Sequence, residues 1–495
     1  MEEALRLYGQ APPSYDHAEA LRDYASLFLL HTAGRLQASV AALNQALEIA
    51  EAADATALIP RILPTIAVAA FIGGQIEEGF AALERGSTLA RASRDGPSLV
   101  RIPINESDAL LKLGQFQRAA EVASRGLVSA GQVGLQSWYV ATMLAANAAE
   151  ALLALGRTTE AAALIDPLTT MPPDRDHWLV HAARAEIDLL RGDTSAAVER
   201  WQQIYAFPAH LSKINFAYEA APRAVEASLW AGRPGDALTE TRRELARFKV
   251  PDVTIMCGRL LTAGMRACAD LAEQARARRD QPAAAAAAAA ADGLATWVEQ
   301  MSGAPFTDHP FVAAIPAERA TWGAERTRLA GPGDPDAWDS AAKAWQDLGW
   351  LHRAGYTWWR QAQALLDAGQ PATSAAGVLR AAAAAAAGHA PLLAQIQALA
   401  NRARIPLQSP AAGTAPDAHP PVKAPTPYGL TDRELAVLRL LAAGRTNAQI
   451  GAELYISPKT AGVHVSNILR KLGVSGRAQA AALAERAGLL HPPQP

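Results

Sequence analysis

Residues 430–490, LTDRELAVLRLLAAGRTNAQIGAELYISPKTAGVHVSNILRKLGVSGRAQAAALAERAGLL, read as four short helices, each with its own start and stop signal. Thr431 and Glu434 form a capping box, in which hydroxyl and carboxylate each satisfy a free backbone N–H at a helix start. Gly444 ends that helix, because glycine takes the left-handed C′ conformation without steric cost. Thr446 and Gln449 make a second box, opening a helix of barely two turns that closes around Glu453 or Leu454. Ser457 is an N-cap and Pro458 takes the first helical position, where its missing N–H costs nothing. This third helix runs to Gly473. Ser475 opens a fourth, reaching Gly488 with Ala480, Ala481, Leu483 and Ala484 on one side.

The third helix has two faces. Ala461, Val465, Ile468 and Leu472 recur at intervals of four, three and four, the buried stripe of a helix packed on its neighbours. Opposite lie Lys459, Val463, Ser466, Asn467, Arg470 and Lys471. Cationic donors for phosphates flank smaller groups suited to base edges, as a recognition helix in a major groove requires. Arg470 and Lys471 are therefore expected on the DNA backbone, and Val463, Ser466 and Asn467 on the bases. The alternative is that this stripe is the solvated side of a small bundle. A short helix, tight turn, Ser-Pro cap and basic outer stripe occurring together favour the DNA reading.

Residues 428–490 resemble the LuxR-type, or GerE-like, DNA-binding domain. Its pattern LT-x-RE-x-x-VL, a short N-x-x-I-A-type helix and then ISPKTV-x-VHVSNILRKLGV is met by Leu430, Thr431, Arg433, Glu434, Val437, Leu438, Asn447, Ile450 and the run 456–474. Ala461 stands where Val is usual. Gly462 replaces what in some relatives is a long polar side chain, at about 1 kcal/mol relative to Ala inside a helix. The DNA-facing set implied is Thr446, Asn447, Ser457, Lys459, Thr460, Val463, His464, Ser466, Asn467, Arg470 and Lys471. The resemblance also implies double-stranded DNA as partner and a homodimer formed through the helix at 475–487.

Charge divides the same way. Residues 428–490 hold eight Lys and Arg against four Asp and Glu, while the remainder holds 38 against 44, so the net charge of −2 conceals a basic tail on an acidic body. At 495 residues, half of them apolar, the chain has material for two or three domains. No run of about 18 uncharged apolar residues is flanked as a membrane span would be, and the start, MEEALRLYGQAPP, lacks a basic-then-apolar leader. A cytoplasmic, nucleoid-associated protein without a membrane partner is expected. Cys257 and Cys268, eleven apart on one predicted helix, read as buried thiols of a reducing compartment.

Upstream, residues 20–250 repeat the end of one helix, a glycine-centred turn and an Ala-rich second helix. The turn glycines Gly34, Gly74, Gly114, Gly156, Gly192 and Gly232 lie 40, 40, 42, 36 and 40 residues apart. Helical hairpins at such a period stack into a solenoid with a long concave surface. They resemble tetratricopeptide repeats drawn out beyond their usual length of about 34 residues. The expected fold is all-α: tetratricopeptide-like repeats over 1–250, a continued Ala- and Trp-rich helical array over 251–405, a Pro-rich linker over 406–427 with seven prolines, and the four-helix tail over 428–490. Ala283–Ala291 reads as an exposed or bridging helix.

Five of the eleven tryptophans, Trp338, Trp345, Trp350, Trp358 and Trp359, lie in one stretch of the array. Aromatic residues at helical spacing are read as core before pocket. This stretch with its linker and tail is similar to the C-terminal half of the large LuxR-family regulators of the MalT-like class, in which an ATPase module precedes a helical-repeat sensor. No G-x-x-x-x-G-K-[ST] and no Gly-Lys pair occur here, so neither ATP hydrolysis nor a cofactor is expected. The chain is either a relative lacking the ATPase or the downstream part of a longer product. No early acidic cluster with alternating strands suggests a phosphorylatable receiver domain. His177 and His181 share a helical face at i and i+4 but lack the Glu and Cys company of a metal site. No catalytic constellation stands out.

The residues thus point to a DNA-binding transcriptional regulator, not an enzyme, whose repeat body senses a protein or small-molecule effector. The competing reading is a repeat scaffold or adaptor whose tail reads no specific operator. Salt-dependent binding of a defined promoter separates them.

Overall fold

Five turns of the same design organise the N-terminal half of the chain in a computed structural model. Gly74, Gly114, Gly156, Gly192 and Gly232 all take positive φ. After each, the next residue's N–H bonds back five residues, as from Gln75 to Ala70 O at 2.8 Å and from Arg233 to Ser228 O at 2.9 Å. This closure satisfies carbonyls that a helix end leaves open, and it requires the left-handed residue that glycine supplies. Gly34 lies outside the described residues, which are 12–31, 36–134, 139–174, 177–207, 216–248, 251–407, 432–447, 449–450, 465, 468–469, 471–472, 474 and 476–486.

The chain forms two compact units, Met1–Pro410 and Ala411–Pro495. The first begins with hairpins of α1 (Tyr15–His31) with α2 (Leu36–Ala52), α3 (Ile59–Ile72) with α4 (Ile76–Ser93), α5 (Gly96–Lys112) with α6 (Phe116–Gln132), and α7 (Tyr139–Ala154) with α8 (Thr158–Ile165). Next come α9 (Trp178–Arg191) with α10 (Thr194–Tyr205) and α11 (Ala221–Trp230) with α12 (Pro234–Leu245). Beyond residue 250 follow α13 (Gly258–Ala277), α14 (Gln281–Gln300), α15 (Ile315–Thr327), α16 (Pro335–Asp347), α17 (Leu351–Asp367), α18 (Ala372–Ala385) and α19 (Ala390–Ala403). The second unit contains α20 (Asp432–Ala442) and α21 (Arg477–Arg486). No strand occurs among the described residues. The fold is all-α, built of tetratricopeptide-like helical hairpins followed by the helical tail.

Small residues set the helix spacing. Ala119, Ala123, Ala145, Ala148 and Ala149 are buried between α6 and α7. On α13, a Cβ added to Gly264 would fall 2.5 Å from Thr241 Cγ2, so this contact with α12 exists only because the side chain is absent. The alanine run lies in α14 as a half-exposed helix: Ala283, Ala285, Ala286 and Ala289 are exposed, while Ala287 is buried and Ala290 and Ala291 join Leu294 in the core shared with α13. Cys268 lies in that core too, and Cys257 is the N-cap residue of α13. Both are buried free thiols, and burial pushes Cys268 up to about 12 and Cys257 higher still.

The second half of the same unit returns onto the N-terminal hairpins. Phe311 stacks on Phe71 of α3 with ring centroids 5.2 Å apart, and Ala313 N donates to Lys112 O at the end of α5 at 3.0 Å. Trp350 meets Phe116 of α6 edge-on at 5.3 Å, Arg353 of α17 pairs with Glu226 of α11, and α19 packs on α9. Hairpin periodicity gives no sign of this return, because it is made by loop residues and single side chains far apart in sequence. Trp338 and Trp345 are fully buried core, as their helical spacing implies.

Candidate nucleic-acid interface

The tail is organised by one apolar core that draws a residue or more from each of the four helices read in the sequence. Val437, Leu438 and Leu441 of α20 join Ile450, then Val465, Ile468 and Leu472, then Ala480 and Ala484 of α21. A fully buried Leu or Ile contributes about 1.5–3 kcal/mol, enough to bind these short segments together. Residues 465, 468, 469, 471 and 472 are helical, and the three of them predicted to face inward are buried. Ala480 and Ala484 are buried, and Ala481 and Leu483 pack beside them, on the side expected.

Local signals fix the ends of these segments. At Gly444 φ is +76°, with Arg445 N donating to Leu440 O at 3.1 Å. The second helix opens on a completed capping box: Thr446 N donates to Gln449 Oε1 at 2.9 Å and Gln449 N to Thr446 Oγ1 at 3.3 Å. The Thr446 hydroxyl also donates to Gln449 Oε1 at 3.2 Å. At the far end of the third segment, Val474 N donates to Leu469 O at 3.0 Å, closing it where Gly473 was expected to.

Of the residues assigned to DNA, three are described. Thr446 is exposed, Asn447 is partly exposed and Lys471 is partly buried near the end of the third segment. Ser457, Lys459, Thr460, Val463, His464, Ser466, Asn467 and Arg470 lie outside the described residues, as does the box residue Thr431; of Glu434 only the helical backbone is described. The structure adds a residue that sequence reasoning did not single out. Arg477, at the first turn of α21, donates from Nη2 to Asn447 Oδ1 at 2.6 Å. A guanidinium has only donors, so it claims the amide oxygen and leaves the Asn447 amide N–H₂ as the group available to an acceptor such as a phosphate oxygen. Their separation of thirty positions hid the pair.

His177 and His181, considered as metal ligands, have protein partners. His177 Nδ1 is 2.9 Å from Asp174 Oδ1, while His181 lies with Nε2 2.7 Å from Met171 O and Nδ1 3.2 Å from Arg200. Burial holds His181 below the ordinary imidazole range.

A capping box opening one helix, and a following helical segment that shares a core with flanking helices, fit the class of helix-turn-helix DNA-binding domains. Residues 429–484 match the family described as bacterial regulatory proteins, luxR family. The spore germination protein GerE of Bacillus subtilis is 51% identical over 51 residues, which are 10% of this chain and 69% of that protein. The chain belongs to the luxR family through this domain. The transcriptional regulatory protein LiaR of Bacillus subtilis is 53% identical over 62 residues, 12% of this chain and 29% of LiaR. The chain thus spans less than a third of that longer relative. Among solved structures, yeast Tom70 aligns over 79% of this chain and 96% of its own at 14% identity, with a TM-score of 0.23, too low to bear on the fold. The helical-repeat fold therefore rests on the hairpins and turns of this chain itself.

Proposed function

We propose that the protein is a transcriptional regulator that binds double-stranded DNA through residues 428–490 and receives its signal on the helical-repeat body. The observation that carries this is the single core of the tail, which brings the capped second helix and the inward stripe of the third together inside a luxR-family match. With Val465, Ile468 and Leu472 inward, helical periodicity supports Val463, Ser466, Asn467 and Arg470 as the groove-facing set. Ser457, Lys459, Thr460 and His464 belong to its N-terminal turns, with Thr446 and Asn447 from the helix before. A homodimer through 475–487 would pair two such helices on a two-fold operator.

The division of labour is 1–250 and 251–405 as a sensing body, 406–427 as a Pro-rich tether, and 428–490 as the DNA module. A protein or small-molecule effector acts by binding two arrangements of the body unequally, since equal binding shifts nothing. No catalytic role, cofactor or membrane partner is assigned, and the setting is the cytoplasm, on the nucleoid. No described helix is long and apolar enough to cross a membrane.

The test is binding of the full chain to its own promoter region and to random DNA of equal length over a range of salt. A preference for the promoter that survives at physiological salt, with an affinity falling steeply as salt rises, is the expected result. Equal affinity for both sequences would turn the reading toward a repeat scaffold.

A further inference from the structure

Where the two halves of the body meet, a cavity opens between α9, α11, α13 and α17, with an empty volume of about 920 Å³ that is partly open to solvent. Its walls carry both charge and aromatic surface. Almost all of the charge is already spent inside the protein.

The acids account for themselves first. Glu226 accepts from Arg259 at 2.7 Å and from Arg353, and Glu325 accepts from Tyr356 at 2.5 Å and from Arg328. Glu150 pairs with Arg223, and Glu186 lies 3.5 and 3.8 Å from Arg223 and Arg259. A cationic ligand would therefore have to displace an arginine from Glu226, Glu325 or Glu150, and at Glu186 would compete with two longer ion pairs.

Arg266 is the exception among the wall cations. Its Nε is buried without a hydrogen-bond partner, and the acid nearest to it, Asp270, stands 3.6 Å away. The other oxygen of Asp270 is taken by Arg328 at 2.5 Å and Arg360 at 3.0 Å. The guanidinium lies over two rings set edge to face, with Cζ 4.4 Å from the Trp230 centroid and 4.6 Å from that of Tyr356. Stacking fixes the plane of the fork without using its N–H donors. A guanidinium whose buried Nε lacks a hydrogen bond is costly, and a carboxylate is the group that fits its geometry.

Next to it, His389 contributes a second donor. Its Nδ1 accepts from Leu392 N at 3.3 Å as the cap of α19, which leaves the ring proton on Nε2. Burial keeps this imidazole neutral, down to about 3. Trp345 and Trp350 supply apolar wall beyond the fork. A guanidinium with one unbonded donor and only a 3.6 Å ion pair, beside a neutral donor, suits a single negative charge, whereas a phosphate dianion would face the four glutamates of the wall.

We infer that this cavity binds a small organic monocarboxylate with an aromatic or branched apolar body, its carboxylate docked on Arg266 above Trp230 and Tyr356. This deepens the sensing half of the proposed function and rests on that reading only for its regulatory meaning.

The test is calorimetric titration of the full chain with sodium phenylacetate, phenylacetamide and phenethylammonium chloride, three probes of one shape and different charge. Phenylacetate is expected to bind, and the amide and the ammonium to bind at least about tenfold more weakly, because each leaves the fork unpaired or repels it. Arg266→Gln should remove the preference for the acid, while Arg266→Lys, which keeps the charge and loses the fork, should retain part of it. Helicity by circular dichroism must be unchanged in both. Should Arg266→Gln fail to fold, the comparison of the three probes on the unaltered chain decides alone. Equal binding of acid and amide would overturn the inference. So would the absence of binding by phenylacetate, benzoate, 3-methylbutanoate and indole-3-acetate up to about 10 mM, a level at which even weak pairing registers. DNA binding is measured on the same preparation: loss of the carboxylate site with DNA binding intact sinks this inference alone, and the reverse result sinks the regulatory reading alone.

Discussion

Arg477 Nη2 lies 2.6 Å from Asn447 Oδ1, so the last described helix of the tail holds the first turn of the second by its amide. Neither residue is in the apolar core, and the bond is exposed. Its worth to stability is correspondingly small, about 0.5–1.5 kcal/mol. Its consequence is the orientation of a side chain assigned to DNA. Arg477→Ala and Asn447→Ala should each weaken DNA binding with little change in melting temperature, and the double variant should lose less than the sum of the two. Fluorescence anisotropy on one promoter fragment measures all three. Strict additivity would mean that the two residues act separately.

Positioning and reading separate by salt and sequence. Lys471→Ala is expected to weaken binding to all sequences and to reduce the salt slope by about one unit, as loss of one phosphate contact does. Asn467→Ala and Val463→Ala should instead change which sequences are preferred, at about 1–3 kcal/mol on the best site. The assignment of roles fails if all three variants lower specific and random binding alike.

Residues 428–490 should fold alone, because their caps and core are internal to them. Ile468→Ala, a truncation at a fully buried position, should cost this fragment about 2–5 kcal/mol and abolish its DNA binding. Thr446→Ala removes half of a capping box and should cost about 1 kcal/mol. In the full chain the Ile468→Ala variant should leave the melting of the body unchanged, which scanning calorimetry reads directly.

A buried ion cluster joins α13 to α15 and α17. Arg328 is 2% exposed and bonds Asp270 at 2.5 Å, Glu273 at 2.6 Å and the wholly buried Glu325. Removing one partner strands buried charge, so Arg328→Ala should destabilise the body by about 3–5 kcal/mol, seen as a lower urea midpoint. Replacement of a fully exposed arginine should not reproduce this.

Acid should weaken the body through His389. Desolvation, with further repulsion from His352 and Arg266 and partial relief from Glu226, holds its imidazole down to about 3 against an ordinary 6.5. Between those values the unfolded chain binds the proton and the folded chain does not, so stability is full above pH 6.5 and falls as pH drops toward 3. Glu226, held down to about 2 despite its burial by Arg259 and Arg353, adds to the loss below the ordinary carboxylate range of about 4.3. Burial holds Glu219 up at about 7, which works the other way, its stability being full below the ordinary carboxylate value and lost as pH rises through 7. His389→Asn keeps a capping side chain and removes the imidazole, so it should flatten the decline of urea midpoint between pH 6.5 and 4.5. An unchanged slope would exclude His389 as its source.

What the sequence determined by itself is whatever neighbours along the chain decide. Gly74 to Gly232 take positive φ, the Thr446–Gln449 box closes, and Val465, Ile468 and Leu472 turn inward, because each depends on backbone conformation or helical period within a few residues. Trp338 and Trp345 followed the same periodicity into the core. Tertiary structure decided the rest. The alanine run buries one face because α13 is there to receive it, and the N-terminal hairpins are met by Phe311, Ala313 and Trp350, which return to α3, α5 and α6 from more than 190 residues away. The bond from Arg477 to Asn447, and an Arg266 fork stacked on Trp230 and Tyr356 while other arginines hold the acids, are likewise contacts between distant segments. Such contacts leave no periodic trace, since packing selects them only after the helices have formed.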